Sequence, residues 1–220
     1  EGSDHPSAQA FPLGRSGRHL GVYDPSTDTY TPINTCFGTH HLMFAEDADN
    51  TLWTSGGGTA VGWLNTREFL ETGDAVAAQG WTPFILDTNG NGRRDDYVEP
   101  DANIDPSLDK RISSGLYAVA PAPDGSVWGS NLSYPGAVVR VVPGADPSTT
   151  ALTEYYELPL DEEGNAVEGF SPRGMDIDRN GIAWVALASG HMGRFDRSLC
   201  RGPLNGPTAT GQHCPEGWSF

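Results

Sequence analysis

The sequence predicts an all-β fold built from repeated four-stranded antiparallel units, and three observations carry that prediction. A turn followed by an apolar strand with a tryptophan occurs three times: Asp49-Asn50-Thr51-Leu52-Trp53, Asp124-Gly125-Ser126-Val127-Trp128 and Asn180-Gly181-Ile182-Ala183-Trp184. Each copy lies between two further short apolar runs, as Leu42-Met43-Phe44-Ala45 and Val61-Gly62-Trp63-Leu64 flank the first. The composition, 28 Gly and 17 Pro with 37% hydrophobic residues, is that of many short strands joined by turns. At 220 residues the chain is long enough to bury roughly 70% of its extended surface in one core.

The elements follow in order. Residues 1–16 are polar with Pro and Gly and read as a linker or disordered lead-in, leaving 17–220 as the folded segment. Residues 19–24 and 29–33 read as the third and fourth strands of a first, half-complete unit. The next unit runs through Trp53 and Leu64, is interrupted by a helix candidate at 66–79, and ends in an outer strand at 80–86, where Pro83 suits an edge. An insertion at 87–113 precedes the unit of Trp128, whose outer strand is expected at 153–158. The unit of Trp184 ends in an outer strand at 216–220. In each unit an Asp-Asn, Asp-Gly or Asn-Gly pair supplies the chemistry of a two-residue hairpin with positive φ. The repeated positions of Trp53, Trp128 and Trp184 mark them as core between units.

Repeated four-stranded meanders make β-propellers, whose rings close with four to eight blades. The fold expected is therefore a partial β-propeller of about three and a half blades with inserted loops. The tryptophans stand 75 and 56 residues apart, so the blades differ in their insertions. The remaining blades are expected from the rest of a longer protein or from a partner protein.

The small-residue approach, the apolar strand before Gly and the tryptophan strand, carried by residues 41–65, 116–141 and 172–196, resemble the streptogramin lyase (virginiamycin B lyase) group of propellers. That resemblance covers about half of the chain. It implies a lactone-opening elimination at the central channel, performed by histidines and a glutamate with Mg2+. His40 and His41 occupy a suitable strand entrance, whereas the matching entrance of the last unit carries Pro172-Arg173. An arginine cannot serve as a base near neutral pH, so the catalytic set of that group is not reproduced in these residues.

The insertion carries the sharpest motif. Asp87-Thr88-Asn89-Gly90-Asn91-Gly92-Arg93-Arg94-Asp95 places oxygen side chains at positions one, three, five and nine and a glycine at six. That spacing wraps a loop round a hard cation, with Arg93 giving only its carbonyl. Position twelve is Val98, so Asp96 or Glu99 is expected to supply the remaining carboxylate to a structural Ca2+. The alternative is an Asn-Gly-rich turn without metal.

Other candidates are weaker. His40 or His41 is a candidate base or metal ligand at the channel, with Mg2+ as cofactor only for a lyase. Arg173, Tyr117 and His191 are candidate ligand-binding residues for a small molecule there. Cys200 and Cys214 bracket a Gly- and Pro-rich loop and are expected to form a disulfide, with two thiols as the alternative; Cys36 is then left over. A disulfide favours a secreted or periplasmic protein. The net charge of −16, with Lys110 the only lysine, argues against nucleic acid, and no window has the eighteen apolar residues of a membrane helix. The function expected is an exported, calcium-stabilised binding or scaffold module, in competition with a lyase or lactone-opening enzyme.

Overall fold

A computed structural model describes residues 4–14, 19–56 and 58–220. The chain forms α1 (Pro6–Ala10), β1 (His19–Asp24), β2 (Thr29–Asn34), β3 (Leu42–Phe44), β4 (Thr51–Thr54), β5 (Ala60–Asn65), α2 (Thr66–Thr72), β6 (Gln79–Pro83) and β7 (Ile85–Leu86). It continues with β8 (Tyr97–Val98), β9 (Asp109–Arg111), β10 (Val119–Pro121), β11 (Val127–Asn131), β12 (Ala137–Val142), α3 (Pro147–Thr150) and β13 (Leu152–Glu157). The last unit is β14 (Pro172–Ile177), β15 (Ala183–Leu187), β16 (Met192–Phe195) and β17 (Trp218–Ser219).

These strands make the expected partial propeller. The pair β1-β2 is the half blade, and β3-β4-β5-β6, β10-β11-β12-β13 and β14-β15-β16-β17 are antiparallel four-stranded blades. Each space between neighbouring blades holds its own core. Leu20, Ile33, Leu52, Leu64 and Phe69 fill the first, and Trp53, Val61, Phe84, Val119, Val139 and Val141 the second. Trp128, Val138, Tyr156, Val185, Phe195 and Trp218 fill the third. Along β12 the period-two alternation sends Val138 to the third core and Val139 and Val141 to the second. A blade with neighbours on both sides is thus apolar on both faces.

The hairpins differ in length from the expectation but not in backbone chemistry. Asn50 (φ 46), Gly125 (φ 81) and Gly181 (φ 77) all adopt the left-handed conformation. Pairing closes at Ala122–Ser126 and Asp178–Ile182, so two of the turns enclose three residues, with glycine last, rather than two. A type I turn followed by a left-handed glycine matches strand twist as well as a two-residue turn does.

Three further expectations are corrected. Residues 4–14 are no free linker: His5 stacks on Trp81 with centroids 4.8 Å apart, and the Trp81 amide donates to Ser7 Oγ at 3.1 Å. The parts of that lead-in at 1–3 and 15–16 lie outside the described residues, as do residues 17–18 and Gly57. The helix candidate at 66–79 stops at Thr72, because Gly73 takes a left-handed conformation (φ 72) that closes the last turn. Trp184 is exposed rather than buried like Trp53 and Trp128. The outer strand expected at 80–86 splits, its end β7 pairing with β13 of the Trp128 blade, and the insertion adds β9 beside β7 and β8 beside β9, so three short strands cover the outer edge of the Trp128 blade.

Candidate functional site

The innermost strands β3, β10 and β14 lie side by side, and the residues that enter them gather on one rim. The His40 and His41 rings meet edge to face at 4.3 Å, and the Tyr117 ring lies 5.1 and 4.6 Å from them. The Arg173 guanidinium sits 6.0 Å from the centre of the Tyr117 ring, at the limit of cation–π contact. His40 and Arg173 are exposed, while His41 and Tyr117 are half-buried. His41 Nδ1 lies 2.7 Å from the Tyr117 carbonyl. A carbonyl only accepts, so Nδ1 donates and the neutral ring keeps Nε2 as its basic nitrogen. Beside these rings is a groove of about 420 Å³ lined by His40, Gly56, Leu116, Tyr117, Asn131 and Ser133. The rim offers aromatic faces, one guanidinium and basic imidazole nitrogen, a set suited to a planar or anionic small molecule. It does not suit Mg2+, which takes oxygen ligands and gains nothing from an adjacent cation. His191 is apart from this group: its Nδ1 lies 3.0 Å from Ser189 Oγ and its ring meets Phe220.

The rim is held by two serines that sequence reasoning passed over. Ser55 Oγ donates to the Tyr117 carbonyl of the next blade at 2.6 Å and accepts from the His41 amide at 3.1 Å. Ser130 repeats this, donating to the Arg173 carbonyl at 2.5 Å and accepting from the Ala118 amide at 3.1 Å. Each serine stands two residues after its tryptophan, a signal that alignment of the repeats already contained. The third copy has Ala186 there.

The Asp87 loop is the second candidate. The Asp87 carboxylate, nearly fully buried, accepts from the amides of Gly90 at 2.7 Å, Asn91 at 3.1 Å and Gly92 at 2.8 Å. Asn89 Nδ2 and Asn91 Nδ2 donate to Asp95 Oδ2 at 2.9 and 2.5 Å, and those bonds hold the Asp95 carboxyl below its usual pKa. The Arg93 amide donates to Asn91 Oδ1 at 2.9 Å. The side chains of positions three and five therefore meet that of position nine, while the carboxylate of position one holds the backbone of the loop. Glu99 is turned away, paired with Arg111 (Nε to Oε2 2.9 Å), and Asp96 is exposed. In their place the structure brings up Asp109 from β9, whose Oδ2 accepts from the Asp95 amide at 2.8 Å. Burial raises the Asp109 pKa, the Asp87 and Asp95 charges add to that, and the Asp95 and Thr88 amides oppose it. Among the described residues no three Asp, Glu, His or Cys side chains are drawn close enough to form a finished metal cage.

Cys200 and Cys214 form the expected disulfide, with Cα atoms 5.0 Å apart. Its loop reaches the Asp87 loop, since the Gly206 amide donates to the Asp87 carbonyl at 2.7 Å. Cys36 is half-buried, and its amide donates to Gln79 Oε1 at 2.9 Å. Between the last two blades a buried ionic network, also unforeseen, joins Glu154 to Arg197 (2.6 and 2.7 Å), Arg140 (3.0 Å) and the Tyr156 hydroxyl (2.7 Å). Burial, then the Glu154 charge, pushes the Tyr156 hydroxyl pKa far up, so it stays a donor.

No protein-family model and no curated protein sequence matches the chain. Solved structures do. The chain is similar to a streptogramin B lyase at 12% identity and TM-score 0.46, over 82% of this chain and 45% of that one. It is similar to PorZ, a bacterial surface component of the type-IX secretion system of Porphyromonas gingivalis, at 17% identity and TM-score 0.48, over 92% and 24%. It is also similar to virginiamycin B lyase from Staphylococcus aureus at 12% identity and TM-score 0.37, over 82% and 60%. The chain thus spans less than two thirds of each of these proteins. At such identities and TM-scores no residue role passes to this chain.

Proposed function

We propose that the chain is an exported, calcium-stabilised propeller module that binds or scaffolds within a larger protein or assembly. One observation carries this reading. Trp53 and Trp128 are 5% and 3% exposed because the next blade covers them, whereas Trp184, at the same repeat position, is 42% exposed. Met192 on the same blade is also open, as are Leu42 and Phe44 on the blade of Trp53. By the internal repeat, the cover that fits Trp184 is another four-stranded blade. The Cys200–Cys214 disulfide supports export, and no described helix is long and apolar enough to cross a membrane. Ca2+ is assigned to Asp87, Asn89, Asn91, the Arg93 carbonyl and Asp95, where it would pin the insertion to the outer edge of its blade; Asp96 or Glu99 was the expected additional ligand. Hydroxyl-radical footprinting of the native gene product tests the module reading. Trp184 should become as protected there as Trp128; equal labelling of Trp184 in the native product and in this chain would sink it.

A second reading has its own observation, the convergence of His40, His41, Tyr117 and Arg173. It is a lyase or lactone-opening enzyme in which His40 or His41 removes a proton and Arg173 steadies the developing negative charge. Lactone-opening activity that disappears in both His40→Ala and His41→Ala is its signature, and activity surviving both substitutions removes it.

A further inference from the structure

Asp109 brings a further, buried carboxylate to the Asp87 loop. It is 14 residues beyond Asp95, outside the spacing of the motif, and it lies on a strand. Its residue is 0% exposed. One carboxylate oxygen, Oδ2, takes the Asp95 amide, and the other, Oδ1, is buried without a hydrogen-bond partner among the described residues. A buried carboxylate oxygen left unpaired costs its full desolvation, and folds retain such a group only where something compensates it. The Thr88 amide beside it donates to the Leu86 carbonyl at 2.9 Å and offsets the burial only in part. Asp87 and Asp95 act on Asp109 as like charges; the Arg94 guanidinium is the cation that also acts on it, but its Nη1 donates to Thr82 Oγ1 and the Ser148 carbonyl rather than to Asp109. With that guanidinium engaged elsewhere, three acidic groups around one loop and one orphaned oxygen are the setting in which a bound cation would supply the missing partner.

Local pairing explains why Asp109 arrives there. Parallel pairing sets Tyr97 opposite Asp109, and the Asp109 amide donates to the Asp96 carbonyl at 2.9 Å. On the other side β9 pairs with β7, which runs directly into Asp87. The strand thus spans both ends of the nine-residue loop. Glu99, the nearest acidic residue to the twelfth position, is held by Arg111.

We infer that Asp109 is the closing carboxylate ligand of a Ca2+ site formed with Asp87, Asn89, Asn91, the Arg93 carbonyl and Asp95. This rests on the calcium reading of the loop given above and replaces its expected last ligand. The three carboxylates are neighbours that the ion draws together, with the Asn89 and Asn91 amides turning their oxygens inward and releasing Asp95. Bidentate binding by Asp109 brings the protein oxygens from about five to about seven, close to the six to eight that Ca2+ takes. Because Asp87 also accepts from Gly206, the ion would tie the outer edge of one blade to the disulfide loop of the next.

Calorimetric titration of CaCl2 into the chelator-stripped 220-residue chain separates the two claims. One site is expected for the parent chain; no binding there overturns the calcium reading and this inference with it. Asp109→Asn should weaken binding by a factor of ten or more, and Glu99→Gln and Asp96→Asn should leave it within about twofold. Parent binding that is untouched by Asp109→Asn, or that is lost in Glu99→Gln or Asp96→Asn, overturns the role of Asp109 alone. Should Asp109→Asn fail to fold, Tb3+ luminescence lifetimes in H2O and D2O decide on the parent chain. About one or two bound waters are expected with Asp109 bidentate, and three or more overturn it.

Discussion

Trp128 and Trp184 occupy the same place in two successive blades and meet opposite surroundings. The Trp128 ring packs against Tyr156 and Phe195 with centroids 6.4 and 6.2 Å away, and its Nε1 donates to Ser126 Oγ within the protein. The Trp184 ring also donates to its own hairpin, at Asp178 Oδ2, but is 42% exposed. One repeat position therefore yields a core residue or an open face depending only on whether a neighbouring blade stands there. The repeat encodes a surface made for stacking, and the stack supplies the burial. The same contrast extends to the serine latch, which is present at Ser55 and Ser130 and replaced by Ala186 on the open blade.

The largest test of this contrast is truncation of the two rings. Trp128→Ala should cost about 3–5 kcal/mol, the range for emptying a filled aromatic core site. Trp184→Ala should cost about 1 kcal/mol or less in this chain, since much of the ring is already wet. Urea unfolding of both variants checks the pair, and equal losses would remove the distinction between closed and open junctions. Next in size is the Cys200–Cys214 crosslink, which closes a 14-residue separation next to the closed junction. Replacing both cysteines by serine should lower stability by about 3 kcal/mol through the freer unfolded chain. A lower midpoint with an m-value equal to or above that of the parent, because the denatured chain without the crosslink is less compact, is the expected form of the result.

The latch comes third. Ser130→Ala leaves the Arg173 carbonyl and the Ala118 amide without their partner, at about 1–2 kcal/mol. Ala186→Ser should change stability little in this chain, because no following blade presents a carbonyl to it among the described residues. Differential scanning calorimetry of the two substitutions would show the asymmetry, and a gain from Ala186→Ser comparable to the loss at Ser130 would contradict it.

What could be read in the sequence and what could not divide along the same line. Local chemistry was legible: Asn50, Gly125 and Gly181 were placed in positive-φ turns from residue type alone, and the meander followed from apolar runs of strand length. Cys200 and Cys214 were legible because a loop of turn residues separates them. Contacts set by tertiary docking were not. His5 and Ser7 read as linker because polar residues reveal burial only through partners, and theirs lie on β6, more than 70 residues away. Trp184 read as core because its sequence pattern is that of Trp53 and Trp128. The rim residues His40, His41, Tyr117 and Arg173 were each singled out, and blade stacking brought them together. Asp109 escaped the motif since its approach to Asp95 depends on the parallel pairing of β8 with β9.

The smallest expected effect is a pH response confined to the closed junction. The His213 ring lies 5.1 Å from the Tyr156 ring, with its Nε2 buried and without a hydrogen-bond partner among the described residues. Glu154 and Glu216 face it as acids, and Arg197 and the Tyr156 hydroxyl hold Glu154 from the other side. Burial lowers the His213 pKa below the ordinary 6.5, and the two glutamates only partly oppose this. The unfolded chain therefore binds the His213 proton more readily than the folded one. Stability from this group is complete above pH 6.5 and declines as the pH falls through 6.5 toward the lowered folded value. The chain has five other histidines, so the informative quantity is the difference between the parent chain and His213→Phe, which cannot take up the proton. Urea midpoints measured between pH 7.5 and 5 should fall less steeply in that variant. Parallel curves would mean that the closed junction accommodates the charged imidazole, with Glu154 and Glu216 outweighing its burial.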